Sequence, residues 1–223
     1  MKRTFLKTGD GSITIHLPDW DEQYHSKHGA IAEAQHVFIK TGLHYFCDKY
    51  TPNTLSILEI GFGTGLNVFL TLIESKNKQL QVEYTGVEAY PIEVKELEAL
   101  NYAEVLEVSE NDFQKLHSAE WERKTTIVPN FQLLKRKQFF SKIEDKKAFH
   151  LIYFDAFGAR VQPELWTLEI FKIMYDSLKE KGVLVTYSAK GSVRRNMEAV
   201  GFTVERLPGP PGKREMLRAS KNS

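Results

Sequence analysis

The sequence predicts an α/β fold with a mainly parallel, Rossmann-like sheet, and three observations lead to this prediction. Strand-like and helix-like segments alternate from residue 53 onwards, as in parallel sheets with right-handed crossovers. A loop with three glycines, Gly61, Gly63 and Gly65, joins the first strand of this series to its first helix. Two strand-like segments close the chain around a Pro- and Gly-rich turn, and we expect them to pair antiparallel.

The bulk composition fits one globular unit. The chain has 223 residues, of which 42% are hydrophobic and 26% charged, enough for one large domain or a domain with a small appendage. We expect the appendage over residues 1–52 and the main domain over residues 53–223. A single cysteine, Cys47, excludes an intrachain disulfide, and no segment is apolar enough for a signal-peptide core or a membrane span. We therefore expect a cytoplasmic protein that does not bind membranes; the composition leaves the oligomeric state open.

The segments before residue 53 predict a hairpin followed by helix. Residues 3–17 form two strand-like runs around the turn at 8–11. A helix over about 30–40 should end near Gly42, because glycine is common just past helix C-termini. More helix is expected over 43–50.

The main domain is predicted as strands and helices in turn. In chain order we expect strand 55–60, helix 66–75, strand 82–88, helix 91–100, a helix near 112–121 and a short strand near 131–135. The second half should hold strand 149–154, a helix from Pro163 to Lys181-Gly182, strand 183–187, a helix capped by Ser192 and ending at Gly201, and strands 202–207 and 215–219.

Residues 59–65, Glu-Ile-Gly-Phe-Gly-Thr-Gly, are the most informative stretch. Their glycines allow a tight strand-to-helix turn whose backbone a ligand can approach closely. The spacing is not that of a dinucleotide fingerprint, because Leu66 takes the place of its last glycine. The acid at Glu59 would repel a pyrophosphate but suits a ligand with a cationic methionine end, as S-adenosylmethionine has. The alternative is an ordinary glycine-rich turn.

An acid at the end of the second strand supports a nucleoside-type ligand. Glu88 closes the strand 82–88, roughly 20 residues past the loop, where a carboxylate can accept hydrogen bonds from ribose hydroxyls. The alternative is a solvated strand-end carboxylate. Because ligands of open α/β sheets bind at the carboxyl ends of strands, Glu88 and the glycine loop are expected at one site.

Asp155 is the candidate contact for a reacting group, because it follows the buried-type strand 149–154. An amine that accepts a methyl group must be neutral, and a free alkyl amine has a pKa of about 10. Asp155 can hold and orient such an amine; with an ordinary carboxyl pKa of about 3.9 it is a poor base, so its predicted role is mainly positioning. The alternative is a capping residue for the loop before the next helix.

Charge and metal-ligand patterns add less. Seven basic residues and three acids lie between Lys190 and Arg218, and a second basic cluster spans 135–147, so one face suits a polyanion, although a solvated surface explains the same pattern. The histidines form no His-Glu-x-x-His motif and there is no cysteine cluster, so we predict no metal.

Three segments together resemble the MnmC-like family, the methyltransferase domain of the tRNA 5-methylaminomethyl-2-thiouridine biosynthesis protein. They run from Tyr24 to Phe38, from Leu58 to Asn67, and through the tail in Asp155-Ala156-Phe157, Pro163-Glu164-Leu165-Trp166-Thr167 and Lys213-Arg214-Glu215-Met216-Leu217. The glycine motif is general to methyltransferases, whereas its phenylalanine together with Asp-Ala-Phe and Lys-Arg-Glu is more specific. The fold expected from the resemblance is the class I methyltransferase sheet, with its terminal antiparallel pair.

The resemblance implies S-adenosylmethionine-dependent methylation of the exocyclic amine of 5-aminomethyl-2-thiouridine at the tRNA wobble position. The implied cofactor-binding residues are Glu59, Gly61, Phe62, Gly63, Thr64, Gly65, Asn67 and Glu88. Asp155 would face the aminomethyl group, and the expected tRNA phosphate contacts are Arg194, Arg195, Lys213 and Arg214. One departure is that the family usually has Gly-Asp after its third strand, where this chain reads Leu134-Lys135-Arg136-Lys137-Gln138.

Two other functions remain open at this stage. The first is a methyl- or aminopropyl-transferase for a small-molecule amine, and the second is a binding module without turnover, against which the intact Glu59, Glu88 and Asp155 argue. The bifunctional relatives carry a flavin-dependent oxidase domain with its own dinucleotide-binding unit. The only glycine-rich strand-to-helix loop in this sequence is 61–65, and no Gly-x-Gly-x-x-Gly unit is left over for a flavin. We therefore expect no flavin and no processing of the carboxymethylaminomethyl nucleoside.

Overall fold

The computed structural model describes residues 2–222, and its centre is an eight-stranded mixed sheet. Its strands are β4 (Thr54–Ile60), β5 (Gln81–Glu88), β6 (Thr125–Val128), β7 (Phe131–Lys137), β8 (Phe149–Phe154), β9 (Leu178–Thr186), β10 (Phe202–Pro208) and β11 (Glu215–Lys221). Their spatial order is β10-β11-β9-β8-β4-β5-β7-β6. The five central strands from β9 to β7 are parallel, and β11, β10 and β6 are antiparallel to their neighbours. The predicted Rossmann-like fold with an antiparallel terminal pair is confirmed.

A small second sheet precedes the main one. It contains β1 (Thr4–Lys7), β2 (Ile13–Leu17) and β3 (Glu22–Gln23), all antiparallel. The predicted hairpin is therefore confirmed, and a third short strand extends it. Asn101 ties the hairpin to the main domain, because its side chain accepts a hydrogen bond from Ile13 N (2.8 Å) and donates one to Gly11 O (3.1 Å).

Helices cover both faces of the main sheet. They are α1 (Ala30–Ala34), α2 (Tyr45–Tyr50), α3 (Leu66–Lys78), α4 (Val94–Leu97), α5 (Tyr102–Val105), α6 (Glu110–Ser118), α7 (Leu168–Ser177) and α8 (Gly191–Ala199). A π-helical segment, Gln35–His44, joins α1 to α2. One apolar core lies under α1–α3 and α6, and another lies under α7 and α8. Within residues 2–222 no helix combines the length and the apolar character needed to cross a membrane.

The first predicted helix does not end at Gly42. Helical backbone runs from Ala30 to Tyr50, and Gly42 lies inside the π-helical segment. A Cβ at Gly42 would come within 2.9 Å of Val185 Cγ2 on β9. The glycine therefore lets the helix approach the sheet closely instead of terminating the helix.

Several other boundaries differ from the prediction. The region 91–100 holds only the single turn α4, which starts at a capping box between Glu93 and Glu96. The segment beginning at Pro163 is a 3-10 turn, and Thr167 then caps α7 by accepting a hydrogen bond from Ile170 N. Strand β9 already begins at Leu178, so residues 181–182 do not close a helix.

Two further corrections concern the strands and the last helix. Strand β6 was missed because its four residues pair only at the sheet edge, antiparallel to β7, which itself extends to Lys137. Helix α8 has Lys190 at its N-cap and begins at Gly191, so Ser192 lies inside the helix and does not cap it.

Candidate functional site

A large concavity among the described residues, about 1360 Å³, lies at the carboxyl ends of β4, β5 and β8. Its floor includes the glycine loop after β4, its sides include Glu88 and Asp155, and its roof comes from the small N-terminal sheet. The open end of a mainly parallel sheet is where α/β proteins bind ligands. The predicted site residues that line it are Gly61, Phe62, Gly63, Thr64, Asn67, Glu88, Asp155 and Lys213.

The glycine loop has a backbone that other residues could not follow. Gly61, Gly63 and Gly65 have φ values of 87°, 49° and 74°, in the region that favours glycine. A Cβ at Gly61 would also lie 2.7 Å from Asp155 O, so β4 and β8 can approach only because that position is glycine. Gly65 faces away from the cavity towards His117, whose Nε2 would lie 2.7 Å from an added Cβ.

The side chains of the loop support it from beneath. Phe62 is buried and packs over Gly86, where an added Cβ would meet Phe62 Cδ2 at 2.2 Å. Thr64 is also buried, and its Oγ1 accepts a hydrogen bond from Tyr102 (3.1 Å). Both side chains therefore stabilise the loop, and they leave its backbone to face the cavity.

Asn67, in the first turn of α3, joins two carboxylates. Its Nδ2 donates to Glu59 Oε1 and to Asp155 Oδ2, both at 2.9 Å. Glu59 is completely buried behind the loop, and its Oε2 has no hydrogen-bond partner among the described residues. Burial raises the pKa of Glu59 well above its ordinary value, and the bond from Asn67 opposes that rise.

Glu88 is held in place by backbone amides. Its Oε2 accepts a hydrogen bond from Gly63 N (3.1 Å) and its Oε1 accepts one from Tyr90 N (2.9 Å). The carboxylate is only partly buried and lines the cavity. Because each carboxylate oxygen has a second lone pair, Glu88 can still accept hydrogen bonds from a ligand.

Asp155 is a better proton acceptor than the sequence suggests. Burial, followed by the negative charge of Glu33, raises its pKa to about 7, while the bond from Asn67 and the charge of Lys213 act in the opposite direction. A carboxyl with a pKa near neutrality can both bind a cationic amine and accept its proton. The role predicted from an ordinary pKa, mainly positioning, stays a prediction, and the raised pKa would add proton acceptance to it.

Sequence reasoning missed the residues of the roof. Tyr24 and Trp20 pack edge to face on Phe157, with ring centroids 4.9 and 5.9 Å apart. Arg160 holds this contact by donating to the carbonyls of Trp20 (3.0 Å) and Asp21 (2.8 Å). These contacts join segments far apart in the chain, so no local sequence motif predicts them.

The four predicted phosphate-binding residues come from two elements and differ in their surroundings. Arg194 is on α8 and pairs with Glu198 (2.7 Å), while Arg195 on the same helix and Arg214 in the β10–β11 turn are exposed. Lys213 instead lines the cavity, where its Nζ lies 2.5 Å from Glu33 Oε1. In the second basic cluster Arg136, Lys146 and Lys147 pair with acids, and Lys135 is buried.

A metal centre has no counterpart in the described part of the chain. Between residues 2 and 222, no three His, Cys, Asp or Glu side chains are grouped so that they could hold a metal ion. The cavity instead contains carboxylates, aromatic rings and a glycine loop, a combination suited to an organic ligand with cationic and nucleoside-like parts.

The sequence of this chain is similar to those of known methyltransferases. Residues 94–222, more than half of the chain, match the sequence model of a family described as S-adenosyl-L-methionine-dependent methyltransferase. A relative from Hydrogenovibrio crunogenus, the tRNA 5-methylaminomethyl-2-thiouridine biosynthesis bifunctional protein MnmC, is 30% identical over 211 residues, 88% of this chain and 31% of the relative. The MnmC of Leptospira interrogans is 27% identical over 234 residues, 96% of this chain and 35% of the relative. The chain thus spans about a third of the length of these relatives.

Solved structures show the same architecture. MNMC2 from Aquifex aeolicus superposes with a TM-score of 0.77 at 27% identity, over 98% of this chain and 70% of that one. Spermidine synthase from Thermotoga maritima superposes with a TM-score of 0.60 at 17% identity, over 99% of this chain and 69% of that one. At that identity the second likeness shows the shared fold alone.

Proposed function

We propose, from the premise that this chain belongs to the family of S-adenosyl-L-methionine-dependent methyltransferases, that it methylates the exocyclic amine of 5-aminomethyl-2-thiouridine at the tRNA wobble position. The proposed substrate is taken from the MnmC relatives, which are described as proteins of tRNA 5-methylaminomethyl-2-thiouridine biosynthesis. The observation that carries the proposal is the placement of Asp155, a carboxyl with a pKa of about 7, beside the glycine loop in the main cavity.

The residues of the cavity fit the cofactor. Glu59 has a buried oxygen without a partner among the described residues, directly behind the loop, and a cationic methionine end placed there would favour the ionised form of this carboxyl against the burial that raises its pKa. Gly61 and Gly63 allow close backbone approach, and Glu88 can accept hydrogen bonds from the ribose. When bound, S-adenosylmethionine supplies an electrophilic methyl group on a sulfonium and leaves as a neutral thioether.

The adenine ring would lie beyond Glu88. Tyr90 and Phe139 stand on that rim of the cavity, 63% and 56% exposed, with ring centroids 6.1 Å apart. Their apolar faces can pack against a purine. Lys137 lines the same end, where the family usually has an acid, so the contact to the adenine amino group would differ in this chain.

Asp155 would accept the proton that the substrate amine loses. The aminomethyl group is a cation in water. An ionised Asp155 can bind this cation and hold it beside the glycine loop, where the cofactor would bind. The amine must lose a proton before it can attack, and a carboxyl with a pKa of about 7 can accept that proton at neutral pH. Asn67 fixes the carboxylate through its bond to Oδ2, so its other oxygen remains for the amine.

The basic residues outside the cavity would bind the tRNA backbone. Arg195 and Arg214 are exposed and free to contact phosphates, whereas the guanidinium of Arg194 is shared with Glu198. Phosphate contacts of this kind give affinity without base specificity. Recognition of the modified uridine would then come from the cavity itself.

Three further expectations belong to the same proposal. Methyl transfer from a sulfonium is a displacement that needs neither flavin nor metal, so the chain should act without them. A tRNA-modifying enzyme with one cysteine fits the cytoplasm. We also propose that residues 1–52 act as an appendage that helps to close the site, with the methyltransferase domain at 53–223.

The proposal is tested with the variant Asp155→Asn, which keeps the shape and removes the charge. Single-turnover methyl transfer to tRNA should fall by orders of magnitude, while calorimetric affinity for S-adenosylmethionine stays nearly intact. Asp176→Asn on α7, far from the cavity, is the matched control. A near-normal rate for Asp155→Asn would reduce Asp155 to a structural cap, and methylation of a small amine instead of tRNA would favour the small-molecule alternative.

A further inference from the structure

An ion pair lies in the wall of the cavity next to Asp155. Glu33, on α1, is 7% exposed; its Oε2 accepts a hydrogen bond from Ser26 N (2.8 Å) and its Oε1 pairs with Lys213 Nζ (2.5 Å). Lys213 comes from the turn between β10 and β11 and lines the same cavity. The pair therefore joins α1, near the beginning of the chain, to the last hairpin of the main sheet.

Tyr187 connects this pair to the Asp155 loop. Lys213 Nζ lies 3.9 Å from the centroid of the Tyr187 ring, and the Tyr187 hydroxyl donates to Ala156 O (2.8 Å), the residue after Asp155. The side chains of Tyr187, Glu33, Lys213 and Asp155 all line the same cavity. An ammonium held between a carboxylate and an aromatic face is fixed in position and cannot reach a distant phosphate without breaking both contacts.

We propose, on the basis of the function proposed above, that Glu33 and Lys213 are positioning residues that set the protonation state of Asp155 and thereby tune the site for a cationic amine. Glu33 adds negative charge that attracts the substrate and favours proton uptake by Asp155. Lys213 balances this charge so that Asp155 remains ionised often enough to bind the amine. The aminomethyl cation, once bound, takes a place between two carboxylates and one ammonium.

The charges around Asp155 support opposite effects of the two residues. Glu33 raises the pKa of Asp155 and Lys213 lowers it. The other groups that face Asp155 are Glu59 on β4, Tyr84 on β5, Asn67 on α3 and Tyr187 after β9. Glu59 and the two tyrosines have pKa values raised well above their ordinary ranges, so Lys213 is the charged group that opposes proton uptake by Asp155.

The experiment compares the pH dependence of kcat/KM for tRNA methylation in Lys213→Met, Glu33→Gln and the double variant. Lys213→Met should move the acidic limb to higher pH and Glu33→Gln should move it to lower pH, each by roughly one pH unit, as expected for the loss of a charge that lines the same cavity as Asp155. The double variant should return close to the unaltered protein, and Lys213→Arg should preserve the profile. Lys40→Met, which removes an exposed charge from the helical segment after α1, should leave the limb in place.

A second readout does not depend on turnover. The titration of Asp155 in the free protein can be followed by carbon NMR with labelled aspartate, assigned by comparison with Asp155→Asn. The same opposite shifts are expected there. Shifts in one direction, or none, in both readouts would overturn the proposal, and a Lys213→Met variant that instead loses tRNA affinity with an unchanged limb would make Lys213 a phosphate contact. Opposite NMR shifts in a protein that does not methylate tRNA would refute the proposed substrate but not the pairing.

Discussion

Asn67 should control both the stability of the protein and the pH at which it works. In Asn67→Leu, which has a similar volume, the hydrogen bonds to Glu59 and Asp155 are lost. A bond to a charged group contributes about 1.5–3 kcal/mol and one to a neutral group about 1 kcal/mol, so the free energy of unfolding should fall by about 2–4 kcal/mol at neutral pH.

The same substitution should shift the activity profile. The bond from Asn67 lowers the pKa of Asp155, so its loss raises that pKa above about 7. Since one pH unit corresponds to about 1.4 kcal/mol, the acidic limb of kcat/KM should move up by roughly one unit or more. Activity at pH 6 is then lost first.

Asn130→Leu provides the control for both measurements. Asn130 also donates two hydrogen bonds, but to the carbonyls of Ser75 (3.0 Å) and Leu80 (2.9 Å), away from the cavity. It should lower the melting temperature without moving the pH profile. If Asn67→Leu behaved like Asn130→Leu, the acidic limb of kcat/KM would stay in place. The claim that the hydrogen bond from Asn67 controls the pKa of Asp155 would then be refuted.

Three other predictions concern Glu88, Lys135 and the pair Arg195 and Arg214. Glu88→Ala should weaken S-adenosylmethionine binding by about tenfold or more, because a charged acceptor contributes about 1.5–3 kcal/mol; unchanged affinity in titration calorimetry would remove Glu88 from the site. Lys135→Met should stabilise the protein at pH 7 by about 1–3 kcal/mol, since burial lowers the pKa of Lys135 from 10.5 to about 8 and only one hydrogen bond, to His117 O, is lost. Because unfolding takes up a proton between those two pKa values, the stability of the unaltered protein should rise with pH from about 8 to 10.5, and denaturant titrations of Lys135→Met should lack that rise. Charge reversal of Arg195 and Arg214 should weaken tRNA binding and flatten its salt dependence by about 0.7–0.9 per lost phosphate contact, and an unchanged slope would place the tRNA on another face.

The architecture could be predicted from the sequence because its signals are local. The alternation of strand-like and helix-like segments predicted the parallel strands. The glycine loop after β4 predicted that the site lies at the carboxyl ends of those strands. The errors arose where a residue serves a distant contact. Gly42 resembles a helix terminus but makes room for Val185. Similarly, the turn at Lys181-Gly182 resembles a helix end but belongs to β9.

The site could be predicted only in part, for the same reason. Glu59 and Glu88 lie at the carboxyl ends of β4 and β5, and Asp155 directly follows β8, so all three fall at one edge of the sheet. The partnership of Glu33 with Lys213 spans 180 positions in sequence, and the packing of Tyr24 on Phe157 depends on where the small sheet docks. The pKa of Asp155 likewise depends on burial and on charges from other elements, which no motif around Asp155 reveals.

The most direct test of the account is transfer of labelled methyl from S-adenosylmethionine to tRNA, followed by mass analysis of the nucleosides. Purified protein should convert tRNA that carries 5-aminomethyl-2-thiouridine into the methylaminomethyl form. Under the same conditions it should leave tRNA with the carboxymethylaminomethyl nucleoside unchanged, because removal of that group requires oxidation. Methylated product from the carboxymethylaminomethyl form with no second enzyme, or label on no tRNA nucleoside at all, would contradict the account.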